Sequence, residues 1–217
     1  VKPMKYLIDS ANPEEIGQAL AWGACGITAN PSMYRAQKVQ ILDFLQTYTR
    51  EELEFLSGEV VADDVQTMLA QAERIAQVDP NIVIKINFSP EGLELCKLLH
   101  RRGVRCAMTL IFTVAQAVAA MNAGADYVFP FVGRTDAFAG GDGLQMVEAV
   151  QQIASRRGVS VVAASIKSLY QLEALAKMGV PYAALPFALY RQSLTHPLTV
   201  DGQKTFAEDW AQMQHSI

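Results

Sequence analysis

Short aliphatic runs alternate along the chain with longer stretches of helical period. The runs at 5–9, 26–29, 56–61, 82–86, 105–110, 127–132, 160–165 and 182–186 have strand length, and the segments between them repeat apolar residues every three or four positions. After the third run Val65, Met68, Leu69, Ala72, Ile75 and Ala76 recur at helical spacing; after the fourth, Leu93, Leu95, Cys96, Leu98 and Leu99 do so less cleanly. This alternation predicts parallel strands joined by crossover helices. The boundaries agree with it. Asn12-Pro13-Glu14-Glu15 and Ser89-Pro90-Glu91 read as helix starts with proline at the first helical position, and Gly103, Gly124, Gly158 and Gly179 stand where helices end on glycine.

Eight such units within 217 residues predict an α/β chain, a single (β/α)8 TIM barrel domain over 1–217 with an additional C-terminal helix over 197–217. A doubly wound sheet is the competing architecture, but no GxGxxG follows an early strand and no P-loop is present. Barrels carry their chemistry at the C-terminal ends of the strands. Polar residues collect there: Asp9, Asn30, Glu59, Lys85, Thr109, Arg134 and Ser165.

The run Asn81-Ile82-Val83-Ile84-Lys85-Ile86-Asn87 places a lysine inside an aliphatic strand. Strand side chains alternate faces, so Ile82, Ile84 and Ile86 point one way and Val83, Lys85 and Asn87 the other. Burial disfavours an ammonium ion, and a lysine held as the neutral amine condenses with a ketone to give a Schiff base. The alternative is a lysine near the strand end that snorkels to solvent or pairs with a carboxylate.

Composition narrows the class. Hydrophobic residues at 51% and charged residues at 18% suit a packed enzyme and exclude a disordered or coiled-coil chain. A net charge of −4 without a basic stripe argues against nucleic acid as a partner. Cys25, Cys96 and Cys106 are widely spaced and His100, His196 and His215 do not cluster, so neither a disulfide framework nor a metal site is indicated. The start Val1-Lys2-Pro3-Met4-Lys5 lacks a signal-peptide core and no apolar run reaches membrane-spanning length. A cytoplasmic protein with no membrane partner is expected.

Six motifs then follow one another in order: Gly26-Ile27-Thr28-Ala29-Asn30-Pro31-Ser32, Ile84-Lys85-Ile86, Thr109-Leu110-Ile111-Phe112 with Gln116-Ala117, Pro130-Phe131-Val132-Gly133-Arg134, Ala163-Ala164-Ser165 and Glu208-Asp209-Trp210. Together they resemble the small transaldolase and fructose-6-phosphate aldolase family over nearly the whole chain. The resemblance implies a class I aldolase without metal or organic cofactor, acting on sugar phosphates. It implies that Lys85 forms the Schiff base, that Glu59 and Thr109 hold a proton-shuttling water, and that Asp9 is the acid/base for the substrate hydroxyl with Asn30 orienting it. Arg134, Ser165 and Lys167 are then the phosphate site, with lysine where relatives usually carry arginine. Each residue has a plainer alternative. Glu59 can simply neutralise Lys85, Thr109 suits a strand, Asp9 and Asn30 can cap helices, and the basic residues can form surface salt bridges.

The departures bear on the substrate. Ala107 and Phe129 stand where transaldolases have an asparagine and a serine that hold the dihydroxyacetone end of the donor. Glu59 and Phe131 stand where the free-aldolase branch has glutamine and tyrosine. Phe129 narrows the donor pocket if it faces the barrel interior, and only packs a helix if it faces outward. The expected reaction is transfer of a dihydroxyacetone-like unit; free aldol cleavage and a catalytically silent phosphate-binding barrel are the alternatives. Phe206, Trp210 and Met213 lie along one side of the last helix. That helix either caps its own barrel or joins subunits, and the resemblance implies a homo-oligomer, a decamer of two pentamers.

Overall fold

The computed structural model describes residues 3–49 and 51–214. Among these, eight parallel strands close in chain order into a barrel: β1 (Lys5–Asp9), β2 (Gly26–Thr28), β3 (Phe55–Val60), β4 (Val83–Asn87), β5 (Cys106–Ile111), β6 (Tyr127–Pro130), β7 (Ser160–Ala163) and β8 (Tyr182–Leu185), with β8 pairing back onto β1. The helices α1 (Pro13–Ala21), α2 (Pro31–Gln37), α3 (Ile41–Tyr48), α4 (Val65–Val78), α5 (Pro90–Arg101), α6 (Val114–Asn122), α7 (Val132–Ala137), α8 (Gly143–Arg157), α9 (Leu169–Lys177) and α10 (Phe187–Ser193) follow the strands, and α11 (Pro197–Gln214) comes last. The TIM barrel with an additional C-terminal helix is therefore the fold. Residues 1–2 and 215–217, the ends of the expected domain and of the expected helical extension, lie outside the described residues.

The apolar periodicity does what it predicts. Met68, Leu69, Ala72 and Ile75 of α4 and Leu95, Cys96 and Leu99 of α5 are buried in a sheet-to-helix layer that includes Ile84 and Ile86 from the outer face of β4. A second, smaller cluster fills the barrel: Leu7, Phe55, Val83, Ala107, Phe129, Val162 and Ala184. The two layers follow from the side-chain alternation of each strand. The helix starts are capped as read. Asn12 Oδ1 accepts from the amides of Glu14 at 2.9 Å and Glu15 at 3.2 Å, and Ser89 Oγ accepts from Gly92 N at 2.8 Å. Gly103, Gly124, Gly158 and Gly179 take positive φ behind their helices, a conformation open to glycine.

The strand ends differ from the expected ones where the chain turns to build the mouth. The sixth strand stops at Pro130 rather than 132, because Val132 N already donates to Ala164 O at 2.9 Å and starts α7. The seventh stops at Ala163, and Ser165 turns with φ 54°. The fifth carries a bulge between Met108 and Ile111, with Leu110 at φ 60°. The fourth runs on to Asn87, which pairs with Thr109.

The last helix does not cap its own barrel. None of its residues is buried, and Phe206 and Trp210 are 75% and 61% exposed. Among the described residues no helix is long and apolar enough to cross a membrane.

The β2–β3 contact leaves no room for a side chain at Gly26: a Cβ there would lie 2.3 Å from Phe55 O and 2.8 Å from Phe55 Cβ. Gly26→Ala is expected to lower the unfolding free energy by about 2 kcal/mol through this overpacking. Gly17→Ala, on α1 with nothing within 4 Å, should raise it by about 0.5–1 kcal/mol through helix propensity. Denaturant unfolding of both variants checks the pair.

Candidate active site

Lys85 comes from the middle of β4 with its side chain inside the barrel, and the residue is 5% exposed. Such a charge needs partners. Glu59, its register neighbour on β3, places Oε2 3.1 Å from Nζ, and its side chain is 6% exposed. On the other side Nζ donates to Thr28 Oγ1 at 3.2 Å and to the Ala29 carbonyl at 2.5 Å. The Thr28 and Ser57 hydroxyls are 2.9 Å apart and form the polar floor. Snorkelling to solvent is excluded by this burial, and the carboxylate partner of the plainer reading is present in the same place where a Schiff-base lysine would need a base.

Above this floor is a cavity of about 330 Å³, lined in part by Asp9, Asn30, Glu59, Lys85, Thr109 and Arg134. Six of the residues read from the sequence thus converge on one space. Asp9 is not a helix cap, since Asn12 caps α1. Asn30 both caps and lines: its Oδ1 accepts from Met33 N at 3.1 Å, which leaves its amide nitrogen for the cavity. Arg134 lies at the rim with its guanidinium carbon 5.3 Å from the centre of the Phe131 ring. Ser165 accepts from Arg134 N at 3.2 Å. Lys167 is exposed on the adjoining loop. Neither Arg134 nor Lys167 forms an ion pair among the described residues.

The apolar side is as defined as the polar one. Phe129 faces the interior, its ring centre 5.6 Å from Lys85 Nζ, so of its two possible orientations the one that narrows the pocket is observed. Ala107, in register with Lys85, is fully buried beside it. Phe131 lines the cavity and packs on Phe112 at 5.4 Å.

The family model described as Transaldolase/Fructose-6-phosphate aldolase matches residues 6–217. The chain belongs to this family. Among its relatives, a probable transaldolase of Desulfitobacterium hafniense is 40% identical over 214 residues, 97% of this chain and 100% of that protein. A probable transaldolase of Brevibacillus brevis is 37% identical over 218 residues, 97% and 100%, and one of Kosmotoga olearia is 38% identical over 210 residues, 95% and 96%. The general type of enzyme, transaldolase or aldolase, follows from that membership.

The structure adds site groups to this transaldolase/aldolase-family enzyme that the residue pattern did not single out. Thr28 and Ser57 are legible as strand residues sharing a face with Asn30 and Glu59, two positions along, but nothing in the sequence says that their hydroxyls meet. Tyr34, on α2, buries its hydroxyl without a hydrogen bond among the described residues. Burial, with the nearby charges of Glu59 and Asp9, pushes that phenol's pKa up. Asn87 lines the cavity beside Thr109.

Asp9 is half-buried at the end of β1, and desolvation lifts its pKa above the ordinary carboxylate value; Lys85 and Lys167 oppose the lift and Glu59 adds to it. The folded protein therefore holds this proton to higher pH than the unfolded chain. Stability falls as pH rises from the ordinary aspartate value of about 3.9 through the raised folded value. Asp9→Asn is expected to match the parent in acid and to become the more stable protein above that window. Urea unfolding of both proteins across the window checks this, and a difference that does not vary with pH contradicts it.

Proposed function

We propose that this chain is a transaldolase that works through a Schiff base on Lys85 and moves a dihydroxyacetone-like unit between sugar phosphates. The observation that carries the reading is the buried Lys85–Glu59 pair, 3.1 Å apart, at the foot of a pocket whose rim bears Arg134. Glu59 takes the ammonium proton, and the freed Nζ lone pair attacks the ketone carbon. A water held between Glu59 and Thr109 returns the proton as the carbinolamine loses water, which leaves a protonated imine. Asp9 then removes the proton from the hydroxyl on the far carbon of the bond to be broken, with Asn30 orienting that hydroxyl. Its oxygen electrons become the carbonyl of the departing aldehyde, and the carbon–carbon pair flows towards the iminium nitrogen to give an enamine. A carboxyl whose pKa is raised is the better base for this step. Arg134, Ser165 and Lys167 hold the phosphate.

Transfer requires that the enamine wait for a second aldehyde instead of being protonated. Phe131, packed on Phe112, presents carbon where a hydroxyl would supply that proton. Phe129 and Ala107 leave the wall beside Lys85 apolar, which favours a donor with few hydroxyls at that end. Borohydride with fructose 6-phosphate or dihydroxyacetone is expected to fix a ketose on Lys85, and Lys85→Met to abolish the adduct. Glyceraldehyde 3-phosphate release from fructose 6-phosphate should be slow alone and at least several-fold faster with erythrose 4-phosphate. Equal rates would indicate a free aldolase, and an adduct elsewhere or none would remove the mechanism.

The exposed face of α11 supports a homo-oligomer, read here as a decamer of two pentamers, since apolar stripes of this kind are covered in assemblies. A chain ending before Pro197 should scatter light as a much smaller species than the intact chain. A monomeric intact chain would contradict the reading.

A further inference from the structure

Asn87 is a cavity-lining polar residue to which the Schiff-base mechanism gives no task. It ends β4 on the same face as Lys85, two residues or about 7 Å nearer the mouth, and stands in register with Thr109. Its Oδ1 is buried and accepts no hydrogen bond among the described residues. A buried acceptor of this kind is costly unless something else supplies a donor.

The strand cannot shift to relieve it. Phe88 N donates to Thr109 O at 3.0 Å, and α5 packs so closely that a Cβ on Gly92 would lie 2.4 Å from the Asn87 carbonyl oxygen. The backbone of Asn87 is therefore held in place at the cavity wall, between the level of Lys85 and the rim that bears Arg134, and only a turn of the side chain can bring Oδ1 to a donor. The pocket around it is divided. Asp9, Asn30, Glu59 and Thr109 bring polar atoms from one arc of the barrel, while Phe129, Phe131, Ala164 and Ala184 line the opposite arc. A chain of hydroxylated carbons running from Lys85 to Arg134 would turn its hydroxyls to the first arc and its hydrogens to the second.

We propose that Asn87 is a hydroxyl-binding, specificity-determining residue, its Oδ1 accepting from a hydroxyl on the substrate carbons between the carbonyl and the anionic end. The pocket thereby selects polyhydroxylated chains over simple ketones. The assignment rests on the Schiff-base reading only in taking Lys85 as the place where the carbonyl sits.

Asn87→Leu removes the amide at similar size. In a Lys85→Met background, where no imine forms, calorimetry is expected to show fructose 6-phosphate binding about three- to tenfold more weakly on adding Asn87→Leu, the loss of one neutral hydrogen bond. Inorganic phosphate should bind unchanged. With Lys85 present, borohydride trapping of acetone should be unaffected while trapping of fructose 6-phosphate slows by the same factor. The melting temperature should hold or rise, because an unpartnered acceptor has gone, whereas a merely structural asparagine would lower it. Asn87→Thr, which keeps an oxygen, should recover part of the affinity. Unchanged fructose 6-phosphate binding, an equal loss for phosphate or acetone, or no binding of fructose 6-phosphate to the Lys85→Met parent overturns the assignment. If the unmodified protein gives no adduct on Lys85 but the calorimetric loss appears, the Schiff-base reading falls and the role of Asn87 stands. An adduct without the calorimetric loss overturns the role of Asn87 and leaves the Schiff base standing.

Discussion

The structure depends on keeping one ammonium group inside a closed barrel. Taking Lys85 out of water is costly, and losing its carboxylate partner would leave an uncompensated charge at a cost of about 3–5 kcal/mol. The fold meets this with adjacent parallel strands in register, which bring Glu59 to 3.1 Å, and with the end of β2, which lends the Ala29 carbonyl and the Thr28 hydroxyl. All four groups lie on β2, β3 and β4 or on the residue that follows β2. A slip of one residue between β3 and β4 would turn Glu59 to the helix side, so the register of the sheet and the charge balance of the site are one constraint.

The rest of the interior follows from that pair. Because polar groups are gathered on β1 to β5, the opposite arc can be aromatic and aliphatic, and Phe129 packs within 6.1 Å of Phe55 and 5.6 Å of Lys85 Nζ. The wall that excludes water from Lys85 is also the apolar side of the cavity. Local strain sits at the mouth. Leu110 and Ser165 hold φ of 60° and 54°, in a region that costs a residue other than glycine about 1–3 kcal/mol. Each lies just beyond a strand end or within a bulge, where the chain leaves the sheet to form the rim around Thr109 and Arg134.

The last helix obeys a different rule. Its apolar side chains Phe206, Trp210 and Met213 remain in solvent, and none of its residues is buried. Along one side Lys204 and Glu208 lie 4.0 Å apart, an exposed pair that contributes little in water.

The sequence by itself determined the fold class, the order of the units, most helix starts and stops, and the set of polar residues at the strand ends. These follow from periodicities of two and 3.6 and from capping chemistry, which act over a few residues and are written locally. It also singled out Lys85 as a charge that had to be explained. The tertiary structure decided which groups meet. The orientation of Phe129, the bridging of Thr28 to Ser57 and the unpartnered oxygen of Asn87 all depend on barrel closure, which brings β1, β2 and β6 around β4 across more than a hundred residues of chain. The strand ends at 130 and 163 were not legible for the same reason, since Val132 is drawn into its helix by a hydrogen bond to Ala164 beside another strand. A contact made by closing a ring leaves no mark in the spacing of neighbours along the chain.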